Sequence, residues 1–218
     1  MEFLIYLGTA IGAYLLGSIP TGYLVARARG VDIRQVGSGN IGATNAFRVL
    51  GKPAGILVLG TDALKGFLAC KVVSGVAYSF LSPPYQQVPE SRETLAIVAG
   101  IAAILGHNYT CWLKFKGGKG IATTGGVLLA LMPYALLTIT IVWIVVTLAT
   151  RYVSLGSLAA AITLPFAAWA FAGSRRLIGV ATIMTALAVY KHKGNIRRLL
   201  NGTENRFGAK KTESNSIP

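Results

Sequence analysis

The feature that most constrains this chain is the length of its apolar runs. A helix needs roughly 20 apolar residues to cross a hydrocarbon core of about 30 Å, and five runs are that long. They cover residues 3–25, 53–80, 94–113, 121–150 and 153–190. Of the 218 residues, 53% are hydrophobic and only 13% are charged. This pattern predicts an all-α polytopic membrane protein rather than a soluble domain.

The last two runs are too long for one helix each. Met132–Pro133 interrupts one of them and residues 172–176 interrupt the other, so we expect about seven transmembrane helices. The helix over residues 121–132 would be only about 18 Å long at 1.5 Å per residue. The sequence therefore leaves open whether this helix fully crosses the membrane.

The basic residues predict the orientation. A net charge of +14 would suggest a nucleic-acid partner in a soluble chain, but here the basic residues lie at the ends of apolar runs, so no such partner is expected. Arg27, Arg29 and Arg34 follow the first run, which only Glu2 precedes. The N-terminus should therefore lie outside, and the strongly basic C-terminus should be cytoplasmic. Arg175 and Arg176, on the predicted outer side, run against this rule.

We expect residues 1–207 to form a single membrane domain and residues 208–218 to form a disordered tail. Cys70 and Cys111 lie in or beside apolar runs without a metal-ligand spacing, so they are interpreted as core residues. No metal site is expected.

The first of three polar stretches contains Gly37-Ser38-Gly39-Asn40-Ile41-Gly42, which matches GxGxxG. No βαβ unit surrounds it, so a dinucleotide site is excluded. A glycine-rich turn that opens a helix still presents backbone N–H groups to an anion. Thr44 and Arg48 would share one face of that helix.

The second polar stretch is Lys116-Gly117-Gly118-Lys119-Gly120. It is not a nucleotide-triphosphate loop, because Leu113 and Gly120 stand where that motif needs Gly and Ser or Thr. Its lysines could bind either a phosphate group or anionic lipid. A second glycine-rich stretch on the same side favours phosphate.

The third polar stretch places His192, Asn195 and Arg198 three residues apart, where they can face one ligand. His107 fits a structural role better than His192 does. Asp62 and Lys65, inside the second run, are best explained as a mutually neutralising pair that holds helices together, with a proton or ion pathway as the alternative.

These motifs together resemble the bacterial acyl-phosphate:glycerol-3-phosphate acyltransferase family. The resemblance rests on residues 37–48, on Gly106-His107 with residues 116–123, on Arg151-Tyr152-Val153-Ser154, and on residues 192–204. It implies transfer of a fatty acyl group from acyl phosphate to the sn-1 hydroxyl of glycerol 3-phosphate, giving lysophosphatidic acid and phosphate. The location implied is the cytoplasmic face of the bacterial inner membrane, with no cofactor.

The same resemblance implies the site residues. His192 and Asn195 would be catalytic, and Arg48 and Lys119 would hold glycerol 3-phosphate with them. Long-chain acyl phosphate would contact Thr44, Ser154 and the motif glycines Gly117 and Gly118. The remaining substrate-binding positions are Ser38, Asn40, Asn45, Arg198 and Glu204.

Two questions stay open at this point. Either His192 or a phosphate oxygen of the donor could accept the hydroxyl proton. A small membrane transporter of a phosphorylated metabolite is the alternative function, favoured by the Asp62–Lys65 pair and by the broken helix at Pro133.

Overall fold

A computed structural model of the chain describes residues 1–206, so Phe207 and the predicted tail lie outside the described residues. The described part is helical. The helices are α1 (Glu2–Ser18), α2 (Thr21–Arg27), α3 (Ala43–Leu50), α4 (Lys52–Leu68), α5 (Ser74–Ser79), α6 (Pro83–Gln86), α7 (Pro89–Asn108), α8 (Ile121–Leu131), α9 (Pro133–Thr150), α10 (Val153–Phe171), α11 (Arg175–Lys191) and α12 (Lys193–Leu200). A π-helical turn at Ala69–Val73 joins α4 to α5, and a 3₁₀ turn at Cys111–Leu113 follows α7.

The predicted breaks in the two longest runs are confirmed. α8 ends at Leu131 before Pro133, and α10 ends at Phe171 before α11 begins at Arg175. The first run is also broken, between Ser18 and Thr21, which the sequence analysis missed. Pro20 explains this break, because proline has no N–H and clashes with the preceding turn.

Four helical segments of the described chain are long and apolar enough to span a membrane. They are Glu2–Arg27, Pro89–Leu113, Pro133–Thr150 and Val153–Phe171. α8, with 11 residues, is about 17 Å long, little more than half of the roughly 30 Å of hydrocarbon. α8 is therefore too short to cross by itself. The total of seven crossings and the orientation of the termini remain predictions.

Close helix contacts in the bundle depend on glycine. A Cβ atom at Gly17 of α1 would overlap the backbone of Ala103 on α7, and one at Gly126 of α8 would overlap the backbone of Ala63 on α4. Such small residues let neighbouring backbones approach, so that dispersion contacts can hold helices together in lipid. α1 is thereby fixed against α7, and α4 against α8.

The largest apolar core lies between α7, α8, α9, α10 and α11. Leu128, Leu164, Val180 and Met184 are buried there, each no more than 5% exposed. The three polar stretches enter at one end of this bundle, before α3, before α8 and around α12. The packed helices therefore bring together segments that are far apart in sequence.

The predicted topology can be tested with single cysteines in a chain carrying Cys70→Ala and Cys111→Ala. Ser38→Cys, Lys116→Cys and Asn201→Cys replace exposed residues of the three polar stretches, and Gln87→Cys replaces an exposed residue of the predicted outer loop. We expect a membrane-impermeant maleimide to label only Gln87→Cys in intact cells, and all four variants in inverted membrane vesicles. Labelling of any of the first three in intact cells would contradict the orientation. Gly118 is unsuitable for this probe, because a side chain there would overlap the His107 ring.

Candidate functional site

The site is a single cavity of about 820 Å³ that opens where the three polar stretches meet. Its walls come from α3, α4, α7, α8, α9, α10, α11 and α12 and from the segments beside them. One end is polar and cationic, and the remainder is lined by apolar side chains. A cavity with these two parts can hold a molecule, or a pair of molecules, with a charged head and an apolar chain.

Most of the site residues predicted from the sequence line the polar end. The lining residues among them are Ser38, Asn40, Thr44, Asn45, Arg48, Lys119, Ser154, His192, Asn195 and Glu204. The first stretch, the second stretch, the start of α10 and the third stretch each contribute at least one of them. The expected convergence of these stretches is therefore observed in the structure.

Glu204 joins these segments through hydrogen bonds. Its Oε1 atom accepts from Asn195 Nδ2 at 2.8 Å and from Ser154 Oγ at 3.0 Å, and its Oε2 atom accepts from Arg198 Nε at 2.8 Å. The Glu204 side chain is 7% exposed. Lys119 Nζ donates to Asn195 Oδ1 and so enters the same network. A buried carboxylate that accepts from three donors fixes their positions and balances part of their charge.

Lys119 is a cation that lies largely buried at the polar end of the cavity. The pKa of its ammonium group is lowered from 10.5 to about 8, mainly by burial and also by the charges of Arg198, Arg48 and Lys191, against the opposing effect of Glu204. Arg48 lies exposed at the wall of the cavity, and within residues 1–206 its guanidinium has no hydrogen bond or ion pair. Both cations can therefore engage an added anion.

His192 lies between α11 and α12, and it is 3% exposed. Its Nδ1 atom is 2.8 Å from the carbonyl oxygen of Ala188, so Nδ1–H donates there and the lone pair is on Nε2. Burial, with the nearby charge of Lys119, lowers the pKa of the imidazole to about 4. At neutral pH this side chain is uncharged and offers a hydrogen-bond acceptor.

The first loop is held by its own asparagines. Asn45 is 1% exposed, accepts from the Ser38 N–H at 2.8 Å, and donates to the carbonyl oxygens of Ile33 and Val36. Asn40 Oδ1 accepts from the Gly42 N–H at 2.8 Å. These amide groups are thus used within the loop, so Asn45 shapes the wall of the cavity rather than offering free polar atoms to it.

Gly117, Gly118 and Arg198 do not line the cavity, unlike the other predicted residues. The N–H of Gly117 donates to the Asn108 carbonyl at 3.2 Å, and the N–H of Gly118 donates to the His107 carbonyl at 3.0 Å. These glycines therefore hold the loop against α7, and the next residues, Gly120 to Ala122, face the cavity instead. Arg198 is linked to the site through Glu204.

The apolar part of the cavity runs along α4, α8, α9 and α10. Its lining ends at Leu129, Leu136, Leu164 and Met184, and beyond Leu164 the α10 residues Ala167 and Ala168 belong to the closed core. Leu164 is 11 residues from Val153, so the groove reaches about 16 Å along α10 at 1.5 Å per residue. No motif marks these side chains in the sequence, because they are ordinary apolar residues of membrane helices.

Asp62 and His107 also line the cavity, which the sequence analysis did not predict. The expected pair of Asp62 and Lys65 is present, with Lys65 Nζ 2.9 Å from Asp62 Oδ1. His107, predicted to be structural, lies 2.9 Å from the same ammonium group. Charged residues inside an apolar run were the sign of this cluster that the sequence offered. The sequence could not show that the second and third apolar runs meet there.

Comparisons with known proteins identify the family that this chain resembles. The family model described as glycerol-3-phosphate acyltransferase matches residues 7–202. A glycerol-3-phosphate acyltransferase of Geotalea daltonii is 46% identical over 197 residues, which cover 90% of this chain and 95% of that protein. The protein of the same description from Geobacter sulfurreducens is 44% identical with the same coverage.

The fold is also similar to a solved structure. PlsY (YgiH), an integral membrane glycerol 3-phosphate acyltransferase, matches in its glycerol 3-phosphate form with a TM-score of 0.81 and 42% identity, covering 93% of this chain and 96% of that chain. Its lysophosphatidic acid form matches with a TM-score of 0.78 and 41% identity. These matches favour a membrane enzyme over the transporter considered from the sequence.

Proposed function

Because the chain belongs to the glycerol-3-phosphate acyltransferase family, we propose that it transfers a fatty acyl group from acyl phosphate to the sn-1 hydroxyl of glycerol 3-phosphate. The products are lysophosphatidic acid and inorganic phosphate. The reaction takes place at the cytoplasmic face of the bacterial inner membrane and needs no cofactor. The observation that supports this best is the single cavity in which a cationic end continues into an apolar groove.

The acceptor phosphate is bound by Arg48 and Lys119. A guanidinium can engage two phosphate oxygens as a planar fork, and Lys119 adds a point charge from the other side of the cavity. Asn195 orients Lys119, and Glu204 holds Asn195 in turn. His192 Nε2 accepts a hydrogen bond from the sn-1 hydroxyl.

The donor lies with its acyl chain in the apolar groove and its phosphate near Thr44 and the first turn of α8. The N–H groups at a helix N-terminus favour an anion, and residues Gly120 to Ala122 line the cavity there. This assignment replaces the predicted contact with Gly117 and Gly118, whose N–H groups are used within the protein. Ser154, which donates to Glu204, forms the wall between acceptor and donor.

The chemistry requires mainly positioning. The sn-1 oxygen attacks the acyl carbonyl carbon, the bond between that carbon and the bridging phosphate oxygen breaks, and phosphate leaves with the electron pair. The donor is already an activated anhydride, so the protein must hold two anions within reach and reduce their repulsion. Arg48 and Lys119 supply that charge. The released hydroxyl proton passes to a phosphate oxygen of the donor.

The pKa of His192 supports this proton acceptor. Burial, with the charge of Lys119, lowers the pKa of His192 to about 4, so its imidazole is a weak base in the unliganded site. His192 therefore orients the hydroxyl, and the donor phosphate takes the proton.

The proposed function is tested with purified protein in detergent. Palmitoyl phosphate with glycerol 3-phosphate should give equal amounts of inorganic phosphate and lysophosphatidic acid, whereas palmitoyl-CoA in a parallel reaction should give neither. Turnover with acyl-CoA but not with acyl phosphate would refute the donor. Retention of activity after dialysis against a chelator checks that no divalent metal is needed.

Lys119 should determine the alkaline limit of activity. Its ammonium carries the charge below a pKa of about 8 and loses it as the pH rises, so kcat/KM for glycerol 3-phosphate should be about tenfold lower at pH 9 than at pH 7. Arginine keeps its charge throughout this range, so Lys119→Arg should give a flat profile between these pH values. Parallel profiles for the two proteins would show that another group is titrating.

Gly125 on α8 tests the acyl groove. It lines the cavity, and a Cβ atom there has no neighbour within 4 Å, so Gly125→Leu can place its side chain in the groove. Displacing two buried methylenes costs about 1.6 kcal/mol, so kcat/KM for palmitoyl phosphate should fall at least about tenfold, while that for butyryl phosphate stays within about twofold. Gly179→Leu is the control, because Gly179 also has open space but does not line the cavity. Equal losses with both donors would contradict the proposed groove.

His192→Gln distinguishes an orienting role from a general base. Glutamine keeps a hydrogen-bond acceptor but cannot take a proton. If His192 only orients the hydroxyl, the loss in kcat should stay within about 13-fold, the equivalent of one hydrogen bond at about 1.5 kcal/mol. A general base contributes about 10²- to 10⁴-fold, so a loss of more than about 100-fold would assign the proton to His192. An unchanged unfolding temperature would show that the substitution leaves the fold intact.

A further inference from the structure

Three ionisable side chains meet inside the bundle at positions that the proposed chemistry does not use. Asp62 and Lys65 on α4 and His107 on α7 are 2%, 4% and 4% exposed. Lys65 Nζ is 2.9 Å from Asp62 Oδ1, 2.9 Å from His107 Nδ1 and 3.1 Å from the carbonyl oxygen of Ile19. The ammonium group donates hydrogen bonds to His107 and to the Ile19 carbonyl, whereas its contact with Asp62 is an ion pair, and Asp62 Oδ1 has no hydrogen-bond partner. We call these three side chains the buried triad.

The buried triad links α4 and α7 to the break between α1 and α2. Lys65 reaches the Ile19 carbonyl at the break between α1 and α2, where Pro20 interrupts the helix. Because Lys65 donates to His107 Nδ1, the ring proton of His107 is on Nε2. That side of the ring faces Gly118 so closely that no Cβ atom fits there. The triad therefore fixes one face of the loop that precedes α8.

This loop carries Lys119 into the cavity. The Gly118 N–H donates to the His107 carbonyl, and the Gly117 N–H donates to the Asn108 carbonyl. The next residue, Lys119, reaches Asn195 on α12. The position of the Lys119 ammonium thus depends on a loop whose inner side rests on His107.

The energetic cost of this arrangement favours a functional role. Burying an ion pair among helices costs desolvation free energy, and apolar residues of the same volume would hold the helices together at least as well. Two of the three side chains, Asp62 and His107, lie in the wall of the cavity. Unlike apolar packing, an ionic cluster at this place makes contacts in fixed directions.

We propose that Asp62, Lys65 and His107 are positioning residues that hold the loop at Gly117–Gly118 and so place Lys119 for binding of the acceptor phosphate. None of the three touches the reacting atoms in this proposal. The effect on substrate rests on the role proposed above for Lys119, whereas the effect on the loop does not depend on it.

The first measurement is hydrogen exchange of the backbone, followed by mass spectrometry without substrate. The double variant Asp62→Asn with Lys65→Met removes both charges together and leaves no unpaired ion. We expect the amides of residues 117–119 to exchange at least about tenfold faster, because their hydrogen bonds lose the support of His107, while peptides of α9 and α10 exchange as in the parent. Unchanged exchange in the loop, or equal acceleration in all helices, would overturn the proposal.

The second measurement is steady-state kinetics of the same variant. KM for glycerol 3-phosphate should rise at least about tenfold, while KM for palmitoyl phosphate stays within about twofold, because only the acceptor depends on Lys119. A loosened loop with an unchanged KM for glycerol 3-phosphate would refute the role in binding. If Lys119→Arg also left the fall in kcat/KM for glycerol 3-phosphate at alkaline pH unchanged, the proposed role of Lys119 would be refuted. The exchange measurement would still test the contact between the buried triad and the loop.

Two further variants separate positioning from a general loss of stability. His107→Asn keeps an acceptor near the Nδ1 position for Lys65 but removes the ring that supports Gly118, so it should loosen the loop with only a small change in unfolding temperature. Asp32→Asn with Arg34→Met is the matched control, because it removes an ion pair of 2.6 Å that is exposed in the first loop and does not line the cavity. The control should leave exchange at residues 117–119 and both KM values unchanged, and a response equal to that of the triad variant would overturn the proposal.

Discussion

The hydrogen bonds of Glu204 are the contacts on which the polar end of the cavity depends. Arg48, Lys119 and Arg198 bring three positive charges to one region, and these charges would repel one another without a counter-charge. Glu204 provides one carboxylate, which accepts from Arg198 directly and reaches Lys119 through Asn195. The region keeps a net positive charge, which two phosphate-bearing substrates can then neutralise.

The same network explains how distant parts of the chain form one site. Ser154 begins α10, Asn195 lies on α12, and Glu204 follows α12, so their mutual hydrogen bonds fix the third polar stretch against the bundle. Lys119 adds the second stretch. The Gly37–Gly42 loop is fixed separately by Asn45, which ties the loop to the start of α3. Within these two networks, positioning relies on neutral amides and one carboxylate, while Arg48 and the remaining N–H groups of Lys119 are available to a substrate.

The polar and apolar parts of the cavity correspond to the two proposed substrates, one of which comes from water and the other from the membrane. Glycerol 3-phosphate is soluble and its charges need the polar end, while the acyl chain of the donor is desolvated in the groove. Lysophosphatidic acid, the proposed product, combines a charged head with an apolar chain, as the cavity joins a cationic end to an apolar groove. The short helix α8 contributes to both parts, since its first turn lines the polar end and Gly125 and Leu129 line the groove.

The sequence by itself determined the features that depend on neighbouring residues. Hydropathy predicted the apolar helical segments, and Pro133 and residues 172–176 predicted where the two longest runs break. The three polar stretches contained Arg48, Lys119, His192 and Asn195, all of which line the cavity. Only the tertiary structure decided which side chains meet. It placed His107 beside Asp62 and Lys65, used the N–H groups of Gly117 and Gly118 against α7, and made a groove from residues such as Leu164 and Met184 that resemble any others in a membrane helix. The physical reason is that helix formation in lipid follows from local hydropathy and backbone hydrogen bonding, whereas the faces that helices present to one another are set by packing between residues far apart in the chain.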